Sequence, residues 1–141
     1  MRLIGAALVL SLVTGCSSWQ VALEDIRPVP EDRLLSYQQP VENGGQITVA
    51  RDKGGMGAGC YISVLIDRKV AARIATTEEA HFQVPAGTRV LGIGIDKADD
   101  TLCSKGRLNL ERAVKVEPGS QQRFRIRTDN MKGVYISPVD Q

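Results

Sequence analysis

The sequence contains few of the residues on which enzyme sites depend. Its 141 residues include three cysteines and one histidine, which leaves little material for a metal centre or a nucleophilic catalytic site. The net charge is only +2 at pH 7, too small by itself to indicate nucleic-acid binding. Charged residues make up 24% and hydrophobic residues 43%, a globular balance that excludes a fully disordered chain, a collagen or a coiled coil. The length fits a single domain.

An apolar run near the start of the chain predicts a secretory signal. Residues 3–13 are apolar except for one serine, and Arg2 precedes them. Two small residues, Thr14 and Gly15, follow. A positive start, a short apolar stretch and small residues at its end are typical of a signal peptide. A membrane-spanning helix needs about 20 apolar residues, so we predict a cleaved signal peptide over residues 1–15.

The end of this signal resembles the bacterial lipobox. Val13-Thr14-Gly15-Cys16 has the aliphatic residue, the two small residues and the cysteine of that motif. The resemblance implies cleavage before Cys16, a diacylglycerol on its sulfur and an acylated amino group, and several acyl chains hold a protein firmly to a membrane. The alternatives are a secreted protein with a chance cysteine and an uncleaved anchor. Ser17 replaces the aspartate that usually retains lipoproteins at the inner membrane, so in a Gram-negative cell we expect the periplasmic side of the outer membrane.

Residues 16–44 are predicted to be the lipidated N-terminus and a tether. Three of the six prolines, Pro28, Pro30 and Pro40, fall here, and proline fixes φ and removes a backbone donor. A short helix over residues 30–37 fits the segment, because Pro30 suits a first helical position and the acidic residues after it suit the positive end of a helix. The rest is expected to be a spacer between the membrane and the fold.

From residue 45 onward the pattern is that of short β-strands. Apolar and polar residues alternate, and turn residues interrupt the alternation roughly every 8–12 positions, which is typical of a β-sandwich or barrel. The predicted strands cover residues 46–51, 60–66, 70–75, 80–84, 88–95, 108–116, 122–128 and 134–137. We predict an all-β fold, a single antiparallel β-sandwich of about seven to eight short strands over residues 45–141. Asp67-Arg68 is the predicted two-residue loop of a hairpin.

Part of this segment resembles a known type of small β-domain. Residues 61–95 contain a strand, the hairpin Asp67-Arg68-Lys69, a short strand, the turn Val84-Pro85-Ala86-Gly87 and a long strand. This is the order found in PEGA domains, which are named for a Pro-Glu-Gly-Ala motif. Most of residues 29–128 is similar to an uncharacterised family of bacterial lipoproteins. The matching pieces are Val29-Pro30, Arg33-Leu34, Val49-Ala50-Arg51-Asp52, the glycine-rich run, Cys60, Pro85 with Gly87, Leu91-Gly92 and Leu102-Cys103. The resemblance implies a fold and no active-site residue.

Cys60 and Cys103 remain once Cys16 is assigned to lipid. In an oxidising periplasm two such cysteines normally form a disulfide, and we predict that bond. The alternatives are two buried free thiols and a metal pair. A metal needs more ligands, and His81 is the only histidine.

The glycine-rich run Gly54–Gly59 is not predicted to be a nucleotide site. A phosphate loop needs Lys and Ser or Thr after its last glycine, and a dinucleotide fingerprint needs glycines at its first, third and sixth positions and then a helix. Cys60 and a predicted strand follow here. The run is predicted to be a flexible connection or a partner-contact loop centred on Gly55, Met56 and Gly57.

A row of arginines is the second candidate contact surface. Arg123, Arg125 and Arg127 alternate with Phe124 and Ile126, so the arginines share one face of a strand and the apolar residues face the core. The row is either a solvated sheet face or a contact for anionic headgroups, lipopolysaccharide or an acidic partner. No nucleic acid is expected, because no aromatic stacking residues accompany the row.

The remaining polar residues do not indicate a reaction. His81 stands between Ala80 and Phe82 without a nucleophile motif nearby, so it is predicted to be a surface strand residue. Glu78-Glu79 and Asp99-Asp100 are predicted in loops and lack the spacing of a calcium loop.

The predicted function is therefore binding or scaffolding in the bacterial envelope. We expect a lipid-anchored, periplasmic, non-enzymatic protein with no catalytic residue, metal, cofactor or nucleotide. Its expected partners are the membrane, through the lipid, and an envelope protein or an anionic headgroup. The alternative is an inhibitor of a periplasmic enzyme such as lysozyme, with the glycine-rich run inserted into the enzyme's cleft. A hydrolase is the least favoured class, because no catalytic constellation is visible.

Overall fold

A computed structural model describes residues 17–139 of the chain. The predicted signal peptide, residues 1–15, and the predicted lipidation site, Cys16, lie outside the described residues. Within them the protein is all-β. The strands are β1 (Ser18–Trp19), β2 (Arg27–Pro28), β3 (Gly45–Arg51), β4 (Lys53–Gly54), β5 (Ile62–Ile66), β6 (Lys69–Ile74), β7 (Glu78–Val84), β8 (Gly87–Ile95), β9 (Asn109–Val116), β10 (Gln121–Asp129) and β11 (Gly133–Pro138). Three short 3-10 turns cover Leu23–Asp25, Glu31–Arg33 and Leu102–Lys105.

The eight longer strands confirm the eight predicted ones, with bounds that differ by at most two residues. The two-residue strands β1, β2 and β4 were not predicted, because so short a segment shows no alternation. Glu78 and Glu79 begin β7, so their prediction as loop residues is wrong.

The predicted helix over residues 30–37 is only the 3-10 turn Glu31–Arg33. Leu34 instead forms an isolated antiparallel bridge with Ala72. The backbone amides of Leu35 and Ser36 both donate to the carbonyl of Ala71. The backbone groups that a helix would use are therefore bonded to the edge of β6. Over residues 17–139 no helix is long and apolar enough to cross a membrane.

The strands form two larger sheets and one small one. The five-stranded sheet has the order β11-β10-β3-β7-β2, the four-stranded sheet has the order β6-β5-β8-β9, and β1 pairs with β4. The β3–β10 and β2–β7 pairs are parallel, so the prediction of purely antiparallel pairing is wrong for this sheet. A two-residue hairpin forces neighbours to be antiparallel. The whole four-stranded sheet lies between β3 and β10 in sequence, so no hairpin constrains that pair.

The hairpin between β5 and β6 has the predicted two-residue loop. Ile66 pairs with Lys69, and Asp67 and Arg68 both have positive φ, at 48° and 64°. A type I′ turn requires this conformation at both positions. The Asp67 carboxylate also accepts the amide of Val90 at 2.9 Å, so the turn is tied to β8.

One hydrophobic core receives side chains from both larger sheets. The largest of its fully buried side chains are Phe82, Ile47, Ile66, Ile74, Leu91, Ile93, Ile126, Val49, Val64 and Val84. The predicted alternation is confirmed in β10, where Phe124 and Ile126 are 4% and 1% exposed and the three arginines that alternate with them are on the other face.

The segment before β3 lies on the sheets and is not a free spacer, in contrast to the predicted tether. Val29 and Arg33 are 4% and 8% exposed, and Val21 is also buried. β2 adds to the edge of β7. The difference has a physical cause, since the apolar side chains of Val21 and Val29 gain free energy when they are buried against the sheets, and Arg33 is buried with its partner carboxylate, Glu78.

Candidate functional site

The glycine-rich run forms an exposed loop between β4 and β5. Gly55 has a φ of +85°, and a Cβ there would lie 2.7 Å from Cβ of Thr128, so a larger residue does not fit. The Met56 side chain is 70% exposed, and a Cβ at Gly57 would meet nothing within 4 Å. Of the predicted contact residues, Met56 and Gly57 therefore lie at an accessible loop tip, whereas Gly55 packs against Thr128.

A buried arginine braces this loop from inside. Arg51 is 5% exposed, and its guanidinium donates to the carbonyls of Cys60 at 2.6 Å, Ile74 at 3.0 Å and Gly57 at 3.0 Å. Burial lowers the pKa of Arg51 to about 10, so the side chain is still charged at neutral pH. Hydrogen bonds from a charged donor are stronger than neutral ones, so this residue fixes the path of the loop.

The second brace is covalent. Cys60 and Cys103 form a disulfide, as predicted from the sequence. It joins the end of the glycine-rich loop to the 3-10 turn Leu102–Lys105 in the loop between β8 and β9.

Two ion pairs lie beside Tyr61, the residue before β5. Arg33 and Glu78 form a buried bidentate pair at 2.6 and 2.7 Å, and Arg73 and Asp96 form another at 2.7 and 2.9 Å. Both guanidinium groups lie over the Tyr61 ring, that of Arg33 at 4.4 Å and that of Arg73 at 5.0 Å from the ring centroid. This layer ties the N-terminal segment, both larger sheets and the loop after β8 together.

Glu78 is charged despite its burial. Loss of hydration raises its pKa, but hydrogen bonds from Arg33 and from the Ala75 amide, together with the charge of Arg33, outweigh that cost and hold the pKa below its ordinary value of 4.5. The same hydrogen bond raises the pKa of Arg33. The pair is therefore fully ionised at neutral pH.

A groove of about 660 Å³ runs over the outer face of the four-stranded sheet. Its floor includes Ser63, Leu65 and Gly94. Gly94 adds no side chain to the floor, and a Cβ there would make only ordinary contacts, at 3.6 Å, with the Leu108 carbonyl and the Leu65 side chain. The groove also has an apolar wall, formed by Leu35, Val70, Ile95, Ala98 and Leu108. Ligand pockets in proteins typically measure about 300–1,000 Å³, so the groove has the size for one small ligand.

Basic side chains stand at the mouth of this groove. Arg68, Lys97 and Arg107 line it, and all three are exposed. Arg68 pairs with Glu111 at 3.1 Å, whereas no ion pair involves Lys97 or Arg107 within residues 17–139. The Asp96 carboxylate that also lines the groove is held by Arg73. The groove is therefore apolar inside and positive at its rim.

The arginines on β10 all interact with neighbouring side chains, two through ion pairs and one through an aromatic ring. Arg123 pairs with Glu79 at 2.7 Å, and Arg125 pairs with Asp52 at 2.9 and 2.6 Å. Arg127 lies over the ring of Tyr135, 5.7 Å from its centroid. The Arg125 side chain is only 19% exposed, so Arg123 and Arg127 are the accessible members of the row.

His81 is on the outer face of β7 and its side chain is 52% exposed. Its Nδ1 lies 2.8 Å from the Thr48 hydroxyl, and its Nε2 lies 3.2 Å from Glu79. This order of hydroxyl, imidazole and carboxylate has the elements of a catalytic triad. Thr48 is only 5% exposed and Glu79 is also bonded to Arg123, so the hydroxyl is not presented to a substrate.

Comparisons with protein-family models, with curated proteins and with solved structures find no match for this chain. The resemblance to the PEGA-like lipoproteins therefore stays a prediction, and the candidate site depends on its own geometry.

Proposed function

We propose that this chain is a lipid-anchored protein of the periplasmic side of the bacterial outer membrane, and that it binds a ligand without catalysing a reaction. Its two larger sheets, which share one core, are taken as the layers of a β-sandwich. The observation that carries the binding role is the apolar groove with its positive rim. Such a groove fits a single-chain amphiphile with an anionic head, such as a long-chain fatty acid.

The geometry favours an acyl chain over a peptide strand. The strands of the floor, β5 and β8, are both central in their sheet and use their backbone groups in pairing. The edge strand β6 is also partly occupied, because the backbone amides of Leu35 and Ser36 donate to the carbonyl of Ala71. A peptide that binds by strand addition needs a free edge, whereas an acyl chain needs only apolar contact.

Filling the groove is expected to abolish binding without harm to the fold. Gly94→Phe places an aromatic ring on the floor, and a strand tolerates it because Gly94 does not have positive φ and a Cβ there makes only ordinary van der Waals contacts. Titration of the purified protein with a fluorescent long-chain fatty acid should give saturable binding to wild type and none to the variant, at an equal or higher unfolding midpoint. Equal affinity in both would contradict the assignment.

The rim gives the matched control for this experiment. Lys97→Ala with Arg107→Ala is expected to weaken binding of the fatty acid several-fold and to leave binding of the corresponding neutral alcohol unchanged. Lys53→Ala with Lys132→Ala removes the same charge outside the groove and is expected to change neither.

Lipid attachment is expected to depend on Cys16 alone. Cells grown with a clickable fatty acid should label the wild-type protein, and Cys16→Ala should remove the label, because the thiol is the acceptor in the predicted chemistry. Absence of label on wild type, or undiminished label on Cys16→Ala, would contradict the anchor.

Inhibition of an envelope enzyme is the second candidate function. The exposed Met56 loop is braced by Arg51 and by the Cys60–Cys103 bond, and a rigid protruding loop suits insertion into a cleft. A lysozyme inhibition assay with Met56→Ser as the comparison tests it.

A further inference from the structure

We infer that the end of the molecule formed by β1, β4 and the β10–β11 turn is a membrane-facing surface that docks on anionic lipid headgroups through Trp19, Met56 and Met131. This inference rests on the proposed lipid anchor at Cys16 and adds the orientation of the domain on the bilayer.

The positions of Ser18 and Trp19 place the predicted lipid attachment site close to this end of the molecule. Ser18 and Trp19 pair with Gly54 and Lys53. The Ser18 hydroxyl also accepts the amide of Thr128 at 2.7 Å. Cys16 is two residues before Ser18, and two extended residues reach about 7 Å at most. Acyl chains on Cys16 therefore hold the bilayer directly against this end, with no spacer between.

Three large apolar side chains are exposed here. Trp19, Met56 and Met131 are 58%, 70% and 93% exposed. The Trp19 ring packs on Gly54, where a Cβ would lie 2.6 Å from it, and Met56 is two residues further along the same loop. Met131 lies in the turn that directly follows β10. Tryptophan is enriched at membrane–water interfaces, and a cluster of exposed apolar residues typically marks an interaction site.

Basic side chains accompany these apolar ones. Lys53 is the pairing partner of Trp19, and Arg127 and Lys132 lie over the Tyr135 ring at 5.7 and 5.4 Å. The nearby Asp129 carboxylate accepts the amides of Met131 and Lys132 at 2.7 and 3.1 Å, and its single negative charge is outnumbered by Lys53, Arg127 and Lys132. The surface carries net positive charge, which anionic headgroups attract and salt screens.

The opposite end of the molecule provides a reference position that is expected to stay away from the bilayer. β10 runs from Gln121 to Asp129, and at about 3.4 Å per residue the strand spans about 27 Å. Glu117 is exposed in the turn before β10. A docked domain brings Met131 to the bilayer and holds Glu117 away from it.

The test uses a single tryptophan as a depth probe. Trp19 is the only tryptophan in the chain, so Trp19→Phe gives a silent background. Met131→Trp or Glu117→Trp is then added, and the lipidated protein is reconstituted into vesicles of phosphatidylethanolamine and phosphatidylglycerol with brominated acyl chains. Fluorescence at position 131 should be quenched and blue-shifted, and fluorescence at position 117 should be neither. Both sites are exposed, so equal unfolding midpoints are expected and are checked first.

A matched lysine pair tests the charge. Lys132 and Lys69 each lie over a tyrosine ring, at 5.4 and 6.0 Å. Lys69 adjoins the β5–β6 hairpin at the other end. Lys132→Gln is expected to lower the ratio of docked to undocked protein about fivefold, while Lys69→Gln leaves it unchanged.

The outcomes separate the two proposals. Intact mass first establishes whether the protein carries lipid. If it does, equal quenching at positions 131 and 117, or no quenching at either, overturns the docked orientation and leaves the anchor standing. If it does not, the anchor and the orientation fall together.

Discussion

Removal of the disulfide, by Cys60→Ala with Cys103→Ala, is expected to lower the free energy of unfolding by about 4 kcal/mol. The bond joins residues 43 positions apart, and closing a loop of that length restricts the unfolded chain by about this amount. The double substitution leaves no unpaired thiol between Ser17 and Val139. Urea unfolding followed by circular dichroism measures the change.

Reductant supplies the control for this prediction. It should shift the wild-type transition to that of the double variant and should leave the double variant unchanged. Alkylation of the unfolded wild-type protein without reductant should add nothing at Cys60 or Cys103 in the intact mass. Modification of both would contradict the bond.

Breaking the Arg33–Glu78 pair is expected to be nearly as costly. Glu78→Gln keeps the shape of the side chain but leaves the Arg33 guanidinium buried without its counter-charge, and loss of one partner of a buried ion pair destabilises a protein by about 3 kcal/mol or more. Both side chains are less than 10% exposed, so water compensates little. Denaturant unfolding of the variant measures the loss.

The exposed pair Arg68–Glu111 is the matched comparison. Its side chains are 76% and 38% exposed, and exposed pairs contribute little. Glu111→Gln should therefore leave the unfolding midpoint unchanged. A loss as large as that of Glu78→Gln would mean that burial is not the cause.

The same pair predicts a pH dependence. The folded-state pKa of Glu78 lies below 4.5, so the unfolded chain binds more protons near and below that pH. The contribution of the pair is therefore complete well above pH 4.5 and is lost as pH falls through the folded pKa. The stability difference between wild type and Glu78→Gln should shrink as pH is lowered, and a constant difference down to pH 2 would contradict the assignment.

The strand pattern could be predicted because a half-buried strand needs apolar residues at every second position. This requirement is local, and β5 shows it well, with Ile62, Val64 and Ile66 in the core and Ser63 and Leu65 on the other face. Asp67 and Arg68 were identified as a hairpin loop for the same reason, since two turn residues between alternating runs are a local signal.

The buried charges could not be identified in the same way. Arg51 continues the alternation of Ile47 and Val49 along β3, so it lies on the core face of the strand. This position in the alternation was the only feature of the sequence from which its burial could have been predicted. The partners of Arg33 and Arg73 gave no signal, because Glu78 and Asp96 are 45 and 23 positions away. Such pairs depend on which strands become neighbours.

The sequence by itself determined the all-β class, the positions of the eight longer strands, the hairpin and the pairing of Cys60 with Cys103. These follow from period-two burial, turn chemistry and the number of cysteines. Only the tertiary structure decided the parallel β3–β10 pairing, the packing of residues 18–44 on the sheets, the groove and the placing of Trp19 beside the Met56 loop. Each of these depends on contacts between segments distant in sequence, and alternation along one strand carries no information about its neighbours.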